Sequence, residues 1–253
     1  MNKTKIEWCD STWNPVTGCY HGCPYCYARN MINRFSGKAY IIAPADGVKE
    51  INEPVKDENG KRIPYPFAFT PTLHRYRLND YKDKSGRTIF VCSMADLFGD
   101  WVPDSWIEEV FTACKQALQH NYLFLTKNPK RYAELALKQK LPNGDAFWYG
   151  TTVTTPDEDF FFSIEHHTFL SIEPIMGDFS EDFGHMCKRF SEWIVTGAET
   201  GNRKDKIVPK RKWVAGLADV CKREEIPLFM KDSLIPIIGE ENMIREFPWE
   251  EWG

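Results

Sequence analysis

The chain has 253 residues, 36 acidic and 32 basic, for a net charge of −4 and a pI near 5.9. That length allows one large domain or two small ones, with a core that needs no cross-links. At 42% hydrophobic and 27% charged residues, the composition excludes a disordered chain, a membrane span of roughly 20 apolar residues and a general basic coat for nucleic acid.

The opening MNKTKIEWCD has no apolar stretch of the secretory kind, so a cytoplasmic protein without membrane partners is expected. A first strand is predicted near Val16. It runs into Cys19-Tyr20-His21-Gly22-Cys23-Pro24-Tyr25-Cys26, a C-x3-C-x2-C spacing. Four of the eight cysteines fall within the first 26 residues, and clustered cysteines in a cytosolic chain point to metal or redox chemistry. Two metal readings stand. A structural zinc site needs four ligands, usually as two separated pairs, so Cys9 or His21 would have to complete it. Three thiolates on a four-iron cluster instead leave one iron open to chelate a substrate or cofactor. Cys92, Cys114 and Cys221 sit in apolar runs and are expected as buried small hydrophobes, and Cys187 is read the same way.

Tyr27 to Phe35 reads as a helix with Ala28, Met31, Ile32 and Phe35 on one side. Residues 37–87 form a long connection, read as an insertion without a core of its own. Asn59-Gly60 inside it predicts a type I′ hairpin. Strands are then predicted at 88–94, 122–126, 147–153, 168–174, 192–201 and 226–231. The intervening helices open at Pro103, Asn128-Pro129 and Val208-Pro209. The first should bury Trp106, Val110, Cys114, Ala117, Ile107, Phe111 and Leu118. The second turns Tyr132, Leu135 and Ala136 inward, and the third Trp213, Leu217, Val220 and Cys221. Aromatics of the 232–253 tail are expected to close one end.

Strands alternating with helices imply βαβ units and an α/β fold, read as a full or partial (β/α) barrel occupying 1–253 as a single domain. Chemistry on such a fold sits at the carboxyl ends of the strands. Every strand runs into polar side chains at that end: Ser93 and Asp96; Thr126 and Lys127; Thr151, Thr152 and Thr154; Ser171 and Glu173; Thr196, Gly197 and Glu199; Lys231 and Asp232.

The three-cysteine motif, with Tyr25 just before its last cysteine, resembles the signature of radical S-adenosylmethionine enzymes. IEWCDSTWNPVTGC, FTPTLHRYRL, IFVCSMADLFGDWVPDSWI, LTKNPKRY, LSIEPIMG, IVTGAETGNRK and IPLFMKD together resemble a phage and bacterial family of radical-SAM-like proteins of unknown function. The resemblance implies the radical SAM partial TIM-like barrel, a [4Fe-4S] cluster on Cys19, Cys23 and Cys26, and S-adenosylmethionine cleaved by one electron to a 5′-deoxyadenosyl radical. It implies a reducing partner such as flavodoxin. Tyr25 matches the aromatic near the adenine. Where the superfamily often has Gly-Gly-Glu for the cofactor's amino group, this chain has Cys92-Ser93-Met94-Ala95-Asp96, so Ser93 and Asp96 are the substitutes. Lys127 is a candidate for the cofactor carboxylate, and Glu173 and Glu199 for ribose hydroxyls or substrate. Thr152 and Gly197 complete the expected cofactor pocket, and Glu173, Glu199 and Lys231 the catalytic set.

Basic residues cluster at Arg203, Lys204, Lys206, Lys210, Arg211 and Lys212, with smaller groups at His74–Arg77 and Lys127–Arg131. Phosphate contacts from such patches, above all from Arg203, Lys204, Lys210 and Arg211, would anchor a nucleic acid or nucleotide while a base enters the pocket. The expected activity is therefore modification or rearrangement of a hypermodified pyrimidine in phage DNA. A radical SAM enzyme acting on a peptide or small metabolite, and a non-catalytic zinc-stabilised nucleic-acid module, remain the alternatives.

Overall fold

The computed structural model describes residues 4–35, 47–179 and 191–249. Cys187 and the end of the tail lie outside the described residues, as do the first ten residues of the 37–87 connection. The chain divides into two compact units, one drawn from Met1–Lys5 and Cys9–Pro142, the other from Ile6–Trp8 and Asn143–Gly253.

The first unit contains, in chain order, β1 (Ser11–Trp13), β2 (Val16–Thr17), α1 (Tyr27–Phe35), β3 (Lys49–Ile51), β4 (Thr72–His74), β5 (Thr88–Val91), α2 (Asp104–Lys115), β6 (Asn121–Thr126) and α3 (Pro129–Leu137). Strand β1 pairs in parallel with β5, and β5 with β6. All four residues of β5 are buried, as expected of a β-branched and aromatic strand covered on both faces. Helix α2 buries Trp106, Ile107, Val110, Phe111 and Cys114, the face that its period predicts. It stops at Lys115, however, so Leu118, expected on that face, is left 61% exposed.

Two expectations change here. The strand near Val16 is not the first of the parallel sheet; that role falls to Ser11–Trp13, and Pro15, which lacks an N–H, separates the two. Val16 instead pairs antiparallel with Leu73, in a small sheet ordered β2-β4-β3. His74 ties this sheet together, with Nε2 2.8 Å from Thr17 Oγ1 and Nδ1 3.2 Å from the Tyr76 hydroxyl. Burial, with Arg77 and Arg62 nearby, pushes its pKa down to about 3, so it bridges as a neutral ring. The turn at Asn59-Gly60 is also not type I′. Gly60 is left-handed at φ +77° but Asn59 is not. The Asp57 carboxylate accepts from Asn59 N and Lys61 N, and Gly60 N donates to Asp57 O. This side-chain-closed turn competes successfully with the two-residue form. The insertion supplies β3 and β4, and its Leu73 and Tyr81 are buried within the first unit.

The second unit contains β7 (Phe147–Val153), β8 (His167–Ile172), β9 (Ile194–Thr196), α4 (Arg211–Glu224), β10 (Leu228–Met230) and α5 (Ile235–Ile238). Its four strands pair in parallel in the order β7-β8-β9-β10. Their apolar residues form one core with Val214, Leu217 and Cys221 of α4. The tail does close on aromatics: Phe247 and Trp249 pack against Trp193, and Trp249 meets Trp148 edge-on. With three parallel strands in one unit and four in the other, the fold is mixed α/β. Among the described residues no helix is long and apolar enough to cross a membrane.

His167, opening β8, places Nδ1 2.7 Å from Glu192 and stacks on Trp148 with centroids 4.6 Å apart. The Glu192 hydrogen bond raises its pKa above the ordinary 6.5. The pair therefore stabilises the fold fully below pH 6.5, and that contribution is lost as pH rises through the higher folded-state value. Replacing it, His167→Gln, should flatten the decline in the urea midpoint across this range. An unchanged pH slope would contradict the assignment.

Candidate functional site

The three-cysteine segment is positioned by its flanking backbone. Gly18 sits at φ +86°, and a Cβ there would lie 2.4 Å from Thr70 O and 2.6 Å from Phe69 O. Only glycine tolerates both the conformation and the approach. Gly18 N donates to Met94 O at 2.9 Å and Cys19 N to Phe69 O at 3.2 Å, fastening the loop to the turn after β5 and to the insertion. Gly22, between the first two cysteines, is left-handed at φ +70°. Cys26 N donates to Cys23 O at 3.2 Å as α1 begins, and Arg29 N points at Cys26 Sγ from 3.4 Å. Arg29 also donates to Cys19 O at 3.2 Å while lying 4.6 Å above the Phe69 ring. Cys19 and Cys26 both pack on the apolar cluster of Ala28, Ile32, Phe69 and Met94.

Cys19, Cys23 and Cys26 are half-buried and form no disulfide. Burial pushes the Cys19 thiol up to about 12, with Asp96, Cys23 and Cys26 adding repulsion. Cys23 is also raised, chiefly by burial, while Lys127 opposes the shift. Cys19 and Cys23 thus each feel the charge of neighbouring thiols, and a cation beside them would oppose their preference for the protonated form. Among the described residues, no three His, Cys, Asp or Glu side chains converge as a ready set of metal ligands.

Four expected cofactor residues surround this loop. Lys127 Nζ donates to the Tyr25 hydroxyl at 3.2 Å and lies 5.2 Å from that ring's centre. Ser93 Oγ meets Asn14 Oδ1 at 3.2 Å, and the Ser93 carbonyl accepts from the Tyr27 hydroxyl. The Asp96 carboxylate is 5% exposed as a residue and fully engaged. Its Oδ1 accepts from Thr126 Oγ1 at 2.8 Å and Phe98 N at 3.0 Å, its Oδ2 from Lys127 N at 2.9 Å and His21 Nε2 at 2.7 Å. Donors of the chain itself thus meet both oxygens of the Asp96 carboxylate twice.

In the second unit, Lys231 Nζ donates to Glu173 Oε1, joining the ends of β8 and β10. Gly197, after β9, makes room for them: a Cβ there would lie 3.1 Å from Lys231 Cδ, 3.1 Å from Ser233 Oγ and 3.3 Å from Glu173 Oε1. Ser233 Oγ accepts from Ala198 N at 2.9 Å. Glu199 is gripped by Arg203 through two bonds of 2.7 Å, which hold its carboxyl below the usual range. Thr152, half-buried on β7, faces Ser171 in register but joins neither group. Lys204, Lys210 and Arg211 are exposed, with Lys210 4.9 Å above the Trp213 ring.

A family model described as "Protein of unknown function (DUF5131)" matches residues 3–234. The chain belongs to this family. No curated protein and no solved structure matches it. The DUF5131 match runs from before the cysteine loop to beyond Lys231, so it takes in every candidate site residue.

Sequence reading missed several residues of this DUF5131 chain. Asn14 accepts from Met94 N at 2.9 Å as well as from Ser93. Trp101 meets His21 and Tyr20 edge-on, at 4.9 and 5.5 Å. Ser233 and Arg29 were equally unmarked. Their partners lie far away in sequence, apart from Arg29 beside the motif, so spacing carries no signal of them. The tightest constraint is Gly18. A Gly18→Ala protein should lose on the order of 3 kcal/mol of unfolding free energy, read from denaturant midpoints. A loss below about 1 kcal/mol would show that the loop has slack.

Proposed function

We propose that this chain is a radical SAM enzyme with a partial (β/α) barrel, in which Cys19, Cys23 and Cys26 hold a [4Fe-4S] cluster. The observation that carries the reading is three thiols within eight residues of chain, two of them packed on one apolar cluster, with Lys127 bonded to the Tyr25 hydroxyl between them in the motif. The donor set fits a cluster in kind and number. When bound, such a cluster supplies one electron to S-adenosylmethionine and so a carbon-centred radical. The chain's own residues do the rest. Lys127 pairs with the carboxylate of the bound cofactor, and Tyr25 offers its ring face to the adenine. Ala28, Ile32, Phe69 and Met94 keep water from the back of Cys19 and Cys26. Glu173 and Lys231 form a charge-neutral pair able to hold or move a proton on a substrate. Exposed Lys204, Lys210 and Arg211 contact phosphates, with Arg203 steadied by Glu199. The substrate on this reading is a hypermodified pyrimidine in phage DNA, and a flavodoxin-like protein delivers the electron.

Anaerobic reconstitution with iron and sulfide should load about four irons per chain. Reduction with S-adenosylmethionine should then release 5′-deoxyadenosine. Cys19→Ala, Cys23→Ala and Cys26→Ala should each abolish both, while Cys92→Ala retains them. Lys127→Met should raise the KM for S-adenosylmethionine about tenfold with little loss of iron. One zinc per chain without sulfide would overturn the reading in favour of a zinc-stabilised binding module. Release of 5′-deoxyadenosine that DNA does not stimulate would move the substrate to a peptide or small metabolite.

A further inference from the structure

The cysteine loop is tied to Asp96 by one side chain. His21 lies midway between Cys19 and Cys23, and its Nε2 is 2.7 Å from Asp96 Oδ2. A carboxylate only accepts, so the imidazole donates from Nε2. The other three donors to Asp96 are Thr126 Oγ1, Lys127 N and Phe98 N. These belong to the end of β6 and to the turn after β5. Asp96 thus joins three separate stretches of chain, and His21 is its only link to the loop among the described residues. The approach to Asp96 is also built. Cys92 takes a left-handed φ of +58°, rare for a residue with a side chain, and Ala95 N closes the turn onto Cys92 O at 2.9 Å. On the outer side, Trp101 rests edge-on against His21. Its indole fits only because residue 99 is glycine, whose Cβ would fall 2.3 Å from the ring. The imidazole is therefore held by a hydrogen bond on one edge and a ring on another.

We propose that Asp96, acting through His21, is the positioning residue of the three-cysteine loop, holding Cys19 and Cys23 at their working separation before any metal is bound. This rests on the radical SAM reading for its purpose, but not for its geometry. Loss of the link would free residues 21–23 from Asp96, leaving the segment held by Gly18, by the Cys19 backbone bonds to Phe69 and Arg29, by Tyr20 on Gly47 O and Trp101, and by the start of α1. The loop would then sample many separations of its first two thiols, and ligation would have to select among them.

The test uses the full chain, purified without metal under anaerobic conditions. Hydrogen exchange over residues 19–26 and iodoacetamide labelling of each cysteine, mapped by mass spectrometry, are compared for wild type, Asp96→Ala, His21→Ala and His21→Gln. Removing a charge-assisted hydrogen bond should speed loop exchange and Cys23 labelling by about tenfold or more in the two alanine proteins. Gln at 21 presents an amide donor at similar reach and should restore most of the protection. His21→Ala leaves the buried carboxylate and its other three donors in place, so it answers the question even if Asp96→Ala does not fold. Exchange in His21→Ala equal to wild type, or no rescue by Gln, overturns the proposal. The same proteins are then reconstituted with iron and sulfide. A wild type that shows Asp96-dependent loop protection but takes up no iron supports positioning and sinks the radical SAM reading. Equal iron and identical electron paramagnetic resonance spectra in wild type and His21→Ala do the reverse.

Discussion

A carboxylate sealed from water costs several kcal/mol unless its lone pairs are met by donors. Asp96 meets that demand with four, and in doing so it fixes the first unit's chemistry. The strand ends of β5 and β6 cannot separate without unpairing it, and the loop between Cys19 and Cys23 is pinned to them through His21. Gly18 applies the second constraint, because its contact with the Thr70 carbonyl leaves no room for any other residue. One constraint is electrostatic and the other steric, and both act on the same eight-residue segment. The thiols inherit a fixed neighbourhood: an apolar floor from α1 and the insertion, and a cation from the start of α3.

The second unit follows a related logic with different chemistry. Each of its strands runs into polar side chains, and the charged ones after β8, β9 and β10 are paired. Glu173 takes Lys231, Glu199 takes Arg203, and Gly197 clears the space in which the first pair meets. Such mutual neutralisation keeps charged groups at strand ends without an uncompensated charge in the fold. Lys204, Lys210 and Arg211 are exposed there, as is Lys206, which donates to Gly201 O.

Much of this was legible in the chain, and the reasons are physical. Strands β5 to β10 were readable as short β-branched and aromatic runs, with helices α2, α3 and α4 falling after β5, β6 and β9, although among the described residues none separates β7 from β8. The cysteine loop was readable because all its thiols are local in sequence. Readings failed where a distant partner or a local competitor decided the outcome. Val16 has the look of a sheet strand, but Leu73 captures it in the smaller sheet. Asn59-Gly60 has the composition of a tight hairpin, but the Asp57 side chain closes a different turn. Leu118 fits the helical period of α2, which ends too early to bury it. Asp96 was readable as a site residue but not as a structural hub, since His21 and Thr126 lie 75 and 30 positions away. Nothing in a single sequence encodes which distant donor will find a carboxylate.

On the proposed reading, three cysteine ligands leave one iron free for a sulfonium cofactor. Electron paramagnetic resonance of the reduced, reconstituted protein with and without S-adenosylmethionine tests it most directly. The account predicts a signal of a reduced four-iron cluster whose g-values shift when the cofactor is added. A cluster signal indifferent to the cofactor, or no iron–sulfur signal at all, would contradict it.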